Sequence, residues 1–216
     1  MAQELLVKLG VPLAAPSANK FGRTSPTRAE HVEQEFRSAE IPIVDGGPCS
    51  VGLESTVVLI ENKNELAILR EGVISLSEIE SHLKRKKFEY LLLQKIDSEK
   101  SPGHLKHHYM PAIPLIYILG RQPITQSMTQ LWSAEFKKLD SHVEGVRLLK
   151  PRKIESWTEL RLSDNAVLAA RELYNSMRES ASSRKDVILF FEEPHMQTEA
   201  WIPILNRLQK AASMKF

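Results

Sequence analysis

The sequence predicts an α/β protein made of two units joined by a linker, and three features carry that prediction. Beyond Pro114, strand-like and helix-like segments alternate regularly, as in a small parallel sheet covered on both faces. Before about Lys87, strands and helices are mixed without strict alternation. From Phe88 to Pro114 the pattern loosens, with three prolines, one glycine and few periodic apolar positions after Leu93. The expected division is therefore 1–87, 88–113 and 114–216.

In chain order, Leu5, Leu6 and Leu9 mark the end of an amphipathic helix that Gly10 can cap, and VPLAA (11–15) reads as a short buried strand. Thr27 with Glu30 spells a capping box, and Val32 and Phe36, four apart, share a face of the helix that follows. IPIVDGG (41–47) reads as a strand ending in a glycine turn. ESTVVLI (54–60) and ELAILREG (65–72) read as two more strands, separated by the turn ENKN. Ser77 with Glu80 predicts the next helix start, running to KRKK (84–87). In the second unit the order is a strand at PLIYILG (114–120), a helix over 128–136, a strand at GVRLLKP (145–151), a helix over 167–177, a strand at DVILFFEE (186–193) and a C-terminal helix to about Ala212.

Composition narrows the class of protein. With 42% hydrophobic and 26% charged residues, a packed core is expected rather than disorder. A net charge of +2 over 216 residues is too small to attract nucleic acid by bulk electrostatics, so any anion site has to be local. The longest apolar run, IPLIYILG from Ile113, is strand-sized, well short of the roughly 18–20 residues a spanning helix needs. No membrane partner is expected. The first residues lack a secretory pattern, and the single cysteine, Cys49, excludes an internal disulfide, so a cytoplasmic setting is expected.

The loop APSANKFGRTSPT (15–27) concentrates hydroxyl, amide and cationic side chains around a glycine. Such a loop suits phosphate, ribose or an amino-acid carboxylate, because small residues let a ligand reach the backbone N–H groups. The same letters also make an ordinary polar connection. DGGPCSVGLESTVV (45–58) repeats the choice, with Ser55 and Thr56 either facing a crevice at a strand start or closing a tight hairpin. Arg70 ends an apolar strand, where a guanidinium can clamp phosphate or sit as a solvated surface group. HLKHHY (104–109) brings three histidines close together, but no cysteine or carboxylate joins them, and no metal site is assigned. Cys49 has no base within its segment and reads as an inert thiol.

Taken in order, PLAAPSANKFGRTSPT, DGGPCSVGLESTVV, ILREG, SPGHLKHHYMP and the closing NRLQKAA resemble the threonylcarbamoyl-AMP synthase family in its long form. The resemblance is dense before Pro114 and thin afterwards. It implies that 1–87 is the C-terminal part of a YrdC-like twisted α/β catalytic domain, 88–113 an extended linker, and 114–216 a small Rossmann-like parallel domain. The implied activity is a nucleotidyl transfer from L-threonine, bicarbonate and ATP, with Mg²⁺, to threonylcarbamoyl-adenylate and pyrophosphate. That product serves threonylcarbamoyladenosine formation in tRNA, which makes tRNA and the proteins of the transfer machinery the implied partners.

Carried over by motif, the resemblance assigns Ser17 and Asn19 to catalysis and Ala15 and Ser55 to threonine. It assigns Ser17, Ser25, Arg70 and His108 to ATP, and it makes Tyr109 part of a lid. Phe21 stands where serine is common in the family loop, and TEAWIPILNRLQKAA departs from the family's glycine-rich approach to its last helix. The family's YrdC-like domain begins well before the APSAN strand, with a lysine and an arginine that complete the site. The chain is therefore expected to be an incomplete form, inactive or weakly active alone. The rival readings are a non-catalytic RNA-binding module, suggested by KRKK and HLKHH, and a partner subunit of a split synthase.

Overall fold

The computed structural model describes residues 2–37, 39–93, 107–139, 142–143, 146–147, 150–151 and 153–216, with only the backbone of 142–143 and 146–147. Its architecture is α/β, as expected. In the first part, α1 (Ala2–Leu9) and α2 (Ala29–Glu35) are set among long loops. A three-stranded sheet follows, in the order β1-β2-β3, from Val57–Glu61 (β1), Glu65–Arg70 (β2) and Leu91–Leu92 (β3), with α3 (Leu76–Arg85) crossing between the last two. β1 and β2 pair antiparallel, whereas β3 runs parallel to β2 and falls inside the stretch expected as a linker.

Several local expectations are corrected here. Thr27 does not cap α2. The N-cap is Arg28, without a side-chain bond, and Thr27 gives its N–H to His31 Nδ1 at 3.1 Å. A buried imidazole needs a partner, and His31 takes the donor that a cap would have used. The capping box of α3 belongs to Ser75, not Ser77: Glu78 N–H donates to Ser75 Oγ at 3.2 Å, and Ser75 N–H donates to Glu78 Oε2 at 2.8 Å. Both serines precede an acid by three residues, so the letters permit either. Ser77 instead donates to Glu199 from its N–H at 3.0 Å and its hydroxyl at 2.6 Å. VPLAA and IPIVDGG form no strand, and Leu13 and Val44 stand 51% and 75% exposed. A strand requires a neighbour to pair its N–H and C=O groups, and no described strand runs beside either segment.

The second part follows the predicted alternation more closely. β4 (Leu115–Leu119) leads to α4 (Gln126–Lys138) and then to the two-residue strands β5 (His142–Val143) and β6 (Val146–Arg147). β7 (Trp157–Glu159), α5 (Ala166–Ala181), β8 (Val187–Glu192), α6 (Ile202–Ala211) and β9 (Met214–Lys215) complete it. β7-β8-β4-β9 make a fully parallel four-stranded sheet. β4 and β8 read LIYIL and VILFFE because a parallel sheet covered on both faces buries successive residues of its central strands, here all but the last of each.

Successive side chains of these strands serve opposite cores. Leu115, Tyr117, Ile188 and Phe190 meet α5 and α6, while Ile116, Ile118, Leu189 and Phe191 meet Trp132 and Phe136 of α4. α4 starts at the Thr125 cap and α5 at Asn165, whose Oδ1 accepts from Val167 N at 3.0 Å and Leu168 N at 3.2 Å. The strand expected at GVRLLKP is corrected. Its described residues Val146 and Arg147 pair only with β5 in an antiparallel ribbon, while 145 and 148–149 lie outside the described residues. The third sheet position goes to WTE, an edge strand of three residues and too short to carry a period.

Candidate functional site

Where the two parts meet, a cavity of about 720 Å³ is lined by Ser17, Ser25, Arg70, His108 and Tyr109, together with Glu54 and Tyr174. Its wall is assembled from loops far apart in sequence. Residues 22–24 run beside Met110: Met110 N–H donates to Gly22 O at 2.8 Å and Thr24 N–H to Met110 O at 3.2 Å. The Thr24 hydroxyl donates to Tyr109 O at 2.9 Å. Held there, Tyr109 takes φ +65°, a conformation rare for a bulky L-residue. Its ring is buried, stacked on Tyr174 with centroids 5.5 Å apart and with the Arg207 guanidinium 5.9 Å from its centre.

Two glycines allow the other wall to close. Gly52 (φ +85°) lies directly on α5, so that an added Cβ would meet Arg171 O at 2.4 Å. Gly72 lies against the Glu54–Thr56 backbone, and a Cβ there would meet Thr56 N at 2.1 Å. Both stand where chain passes chain too closely for any side chain. Arg70 spans the same stretch, donating from Nε at 3.2 Å and Nη2 at 3.1 Å to Ser55 O. The Thr56 hydroxyl donates to Ile74 O at 2.6 Å.

Glu54 ties this wall to the second part of the chain. Tyr174 of α5 donates its hydroxyl to both carboxylate oxygens at 2.9 Å, Arg207 of α6 donates from Nε at 3.2 Å, and Ser25 reaches Oε1 at 3.4 Å. Arg207 is fully buried and also donates to the carbonyls of Glu71 and Pro203. Arg178, one helical turn beyond Tyr174, holds the Thr24 and Ser25 carbonyls and pairs with Glu35 at 3.3 Å. Burial pushes the Tyr174 hydroxyl up strongly, and the adjacent Glu54 charge adds to this, so it remains a donor. His108 is pushed below the usual histidine value, first by burial and then by Lys210, Arg70 and Arg207, with Glu54 opposing. Its ring is therefore largely neutral near pH 7, and its buried Nδ1 has no hydrogen-bond partner among the described residues.

Of the residues the motifs singled out, Ser17, Ser25, Arg70, His108 and Tyr109 share the cavity lining, whereas Ala15, Asn19 and Ser55 do not. Asn19 turns its amide back on its own loop, donating to Lys20 O at 2.9 Å and Arg23 O at 3.1 Å, and its buried Oδ1 has no partner among the described residues. Ser55 contributes its carbonyl to Arg70. Cys49 sits exposed at the rim. Sequence reading missed Glu54, Tyr174, Arg178 and Arg207. One signal was present for Arg207: with Ile204, Leu208 and Ala211 it occupies the apolar stripe of α6, where a cation must be buried and paired. Among the described residues, no group of three histidine, cysteine or acidic side chains could hold a metal ion, and His104 lies outside them. Among the described residues, no helix is long and apolar enough to cross a membrane.

Residues 74–213 match the family described as "Threonylcarbamoyl-AMP synthase, C-terminal domain", and residues 1–72 match the one described as "Telomere recombination". Proteins named threonylcarbamoyl-AMP synthase from Pyrococcus abyssi and Bacillus subtilis are each 30% identical to the chain, over 94% and 98% of it but 58% and 60% of their own lengths. That from Schizosaccharomyces pombe is also 30% identical, over 95% of this chain and 53% of its own. The chain thus spans less than two thirds of the length of these relatives. A crystal structure of P. abyssi Sua5 complexed with L-threonine aligns with 100% of this chain and 63% of its own, at a TM-score of 0.66 and 28% identity. A variant of that protein with a neighbouring histidine and tyrosine replaced by alanine aligns with the same TM-score and identity. With the family match extending over residues 74–213, and the α/β fold in agreement with these structures, the chain belongs to the threonylcarbamoyl-AMP synthase family.

Proposed function

We propose that the cavity between the two parts is one wall of the L-threonine and ATP site of a cytoplasmic threonylcarbamoyl-AMP synthase, with 1–87 as the C-terminal part of the catalytic domain, 88–113 as linker and 114–216 as the second domain. The observation that carries the reading is the convergence of Ser17, Ser25, Arg70 and His108 from distant segments on one cavity of about 720 Å³. The L-threonine complex of the P. abyssi relative supports the substrate.

In the proposed reaction, threonine's amine adds to the carbon of bicarbonate with loss of water. The resulting carbamate oxygen then attacks the α-phosphorus of ATP, and pyrophosphate leaves. Such a path needs placement of charged reactants more than a protein nucleophile. Ser17 and Ser25 serve as hydroxyl donors to the nucleotide, and Arg70 neutralises its phosphates while bracing Ser55 O. His108, kept neutral, presents Nδ1 to ATP. Ala15 and Ser55 meet threonine, and Asn19 offers its Oδ1, which has no partner among the described residues. A lid role for Tyr109 requires its stack on Tyr174 to part. Mg²⁺ enters with the ATP phosphates as part of the substrate: Glu54, the one acidic residue lining the cavity among the described residues, is already committed to Tyr174 and Arg207. The adenylate passes to tRNA through partner proteins of the transfer machinery.

Titration calorimetry of the chain with L-threonine and with Mg·ATP tests the proposal. Both ligands are expected to bind, L-serine more weakly than L-threonine, and Arg70→Ala is expected to weaken ATP by about tenfold or more through loss of a charged hydrogen bond. Binding of neither ligand, or an Arg70→Ala variant with unchanged ATP affinity, would overturn it.

A further inference from the structure

We infer that Glu54 is a positioning residue through which α5 and α6 of the second part set the geometry of the ligand-facing wall, and that Tyr174 and Arg207 act on the site through it. Three anchors hold residues 54–56. The Ser55 carbonyl is braced by Arg70 and the Thr56 hydroxyl by Ile74 O, both local to the first part. Of the three, the Glu54 carboxylate is the one that crosses to the second part among the described residues, where Tyr174 and Arg207 meet it.

The same carboxylate accepts from Ser25 on the opposite wall, so one group sets the spacing of the Ser25 and Ser55 segments. Arg178 reinforces that link by holding the Thr24 and Ser25 carbonyls from the same helix as Tyr174. Glu54 is also the only carboxylate that the fully buried Arg207 guanidinium meets among the described residues. A cation that deep is poorly tolerated without its carboxylate, so the ion pair fixes where residue 54 can be. The backbone on either side has no slack, because Gly52 is pressed on α5 and Gly72 on residues 54–56. The arrangement couples the orientation of α5 and α6 to the width of the cavity.

This inference rests on the reading of the cavity as an L-threonine site, and its test separates the two. Tyr174→Phe keeps the ring that stacks on Tyr109 and removes only the hydroxyl on Glu54. Amide exchange followed by mass spectrometry on the whole chain is expected to quicken about tenfold or more in peptides covering 52–57 and 24–27, as loss of a hydrogen bond to a charged group implies. Exchange in β4 and β8 and the Tm are expected to stay near wild type. L-threonine affinity is expected to fall about tenfold by the same reasoning. Glu54→Gln, which retains shape but not charge, is expected to act in the same direction and more strongly.

Unchanged exchange at 52–57, or exchange that quickens equally in β4 and β8, would overturn the inference, the second because it marks a merely structural role. So would quickened exchange with unaltered L-threonine affinity. If the wild-type chain binds no L-threonine but exchange responds locally, the coupling stands and the substrate reading falls.

Discussion

Replacing Gly52 by alanine isolates the close approach on which the cavity wall depends. Two effects add. The residue sits at φ +85°, which costs an L-residue about 1–2 kcal/mol. Its new Cβ would also lie 2.4 Å from Arg171 O, 2.6 Å from Ala170 O and 2.6 Å from Arg171 Cα, all backbone atoms of α5. Backbone in a helix cannot turn aside as a side-chain tip can, so the loop has to lift, an overpacking worth about 1–3 kcal/mol. Together these come to about 2–5 kcal/mol, a drop in Tm of roughly 4–20 °C for a chain of this size.

Three other glycines separate the two effects. Gly46 has neither a positive φ nor a neighbour within 4 Å, so alanine there is neutral or stabilising by about 0.4–1 kcal/mol. Gly47 shares the positive φ, at +82°, in open space and should show the conformational cost alone. Gly72 has only the steric conflict, with Thr56 N at 2.1 Å. Thermal melts followed by circular dichroism are expected to rank Gly46→Ala above Gly47→Ala, with Gly52→Ala lowest and Gly72→Ala also well below wild type. Should Gly52→Ala melt within about 1 °C of Gly47→Ala, the packing of the loop on α5 is not what holds this wall.

Three further outcomes follow from buried groups. Ser133→Ala removes a hydroxyl that donates to Thr129 O at 2.6 Å and accepts from Ile154 N at 3.0 Å. It leaves that buried N–H unpaired, and urea unfolding should show a loss of about 1–3 kcal/mol. Trp132→Ala empties the core beneath α4 and should cost about 3–5 kcal/mol in the same assay, with L-threonine binding as the readout that stays unchanged at temperatures where the fold persists. His31 and His108 are both held below 6.5, chiefly by burial, so the unfolded chain takes up protons on acidification before the folded chain does. Their contribution to stability is therefore fully present above pH 6.5 and declines as pH falls toward their folded-state values. Burial and Glu199 push Glu71 up, which gives the opposite sign, so the informative comparison is with the His31→Asn/His108→Asn variant, whose Tm should fall less between pH 7.5 and 5.5. Equal slopes for the two proteins would discard this account.

The parts of the fold visible in the letters were those written by local physics. LIYIL and VILFFE announced central strands because burial on both faces demands unbroken apolar runs. The helices over Gln126–Lys138 and Ala166–Ala181 announced themselves by period and extend past the expected bounds at both ends, starting where Thr125 and Asn165 supply caps. What failed was decided elsewhere in the chain. VPLAA and IPIVDGG have strand-like letters, but no described strand lies beside them. Ser75 and Ser77 were equivalent by spacing, and the choice between them turned on Glu199, a residue 122 positions from Ser77. Thr27 lost its cap to a buried histidine.

The candidate site divides along the same line. Ser17, Ser25, Arg70 and His108 could be assigned through the family resemblance of their motifs taken in order, whereas the letters of each stretch alone also fit ordinary polar connections or solvated surface groups. Glu54 was in plain view within GLESTVV and was passed over, since a carboxylate at a strand start looks like any solvated acid. Its meaning comes from Tyr174 and Arg207, 120 and 153 residues away, and no window of sequence holds all three. Arg207 shows how such a contact can still be inferred. An arginine on the apolar stripe of α6 must be buried, and a buried guanidinium requires a carboxylate. The carboxylate could not be one of the helix's own, because Ile202–Ala211 contains no acid, so the partner had to come from another segment. The cation in the second part therefore already implied an acid reaching it from elsewhere, and Gly52, two residues before Glu54, marked one place where the chain could come close enough to supply it.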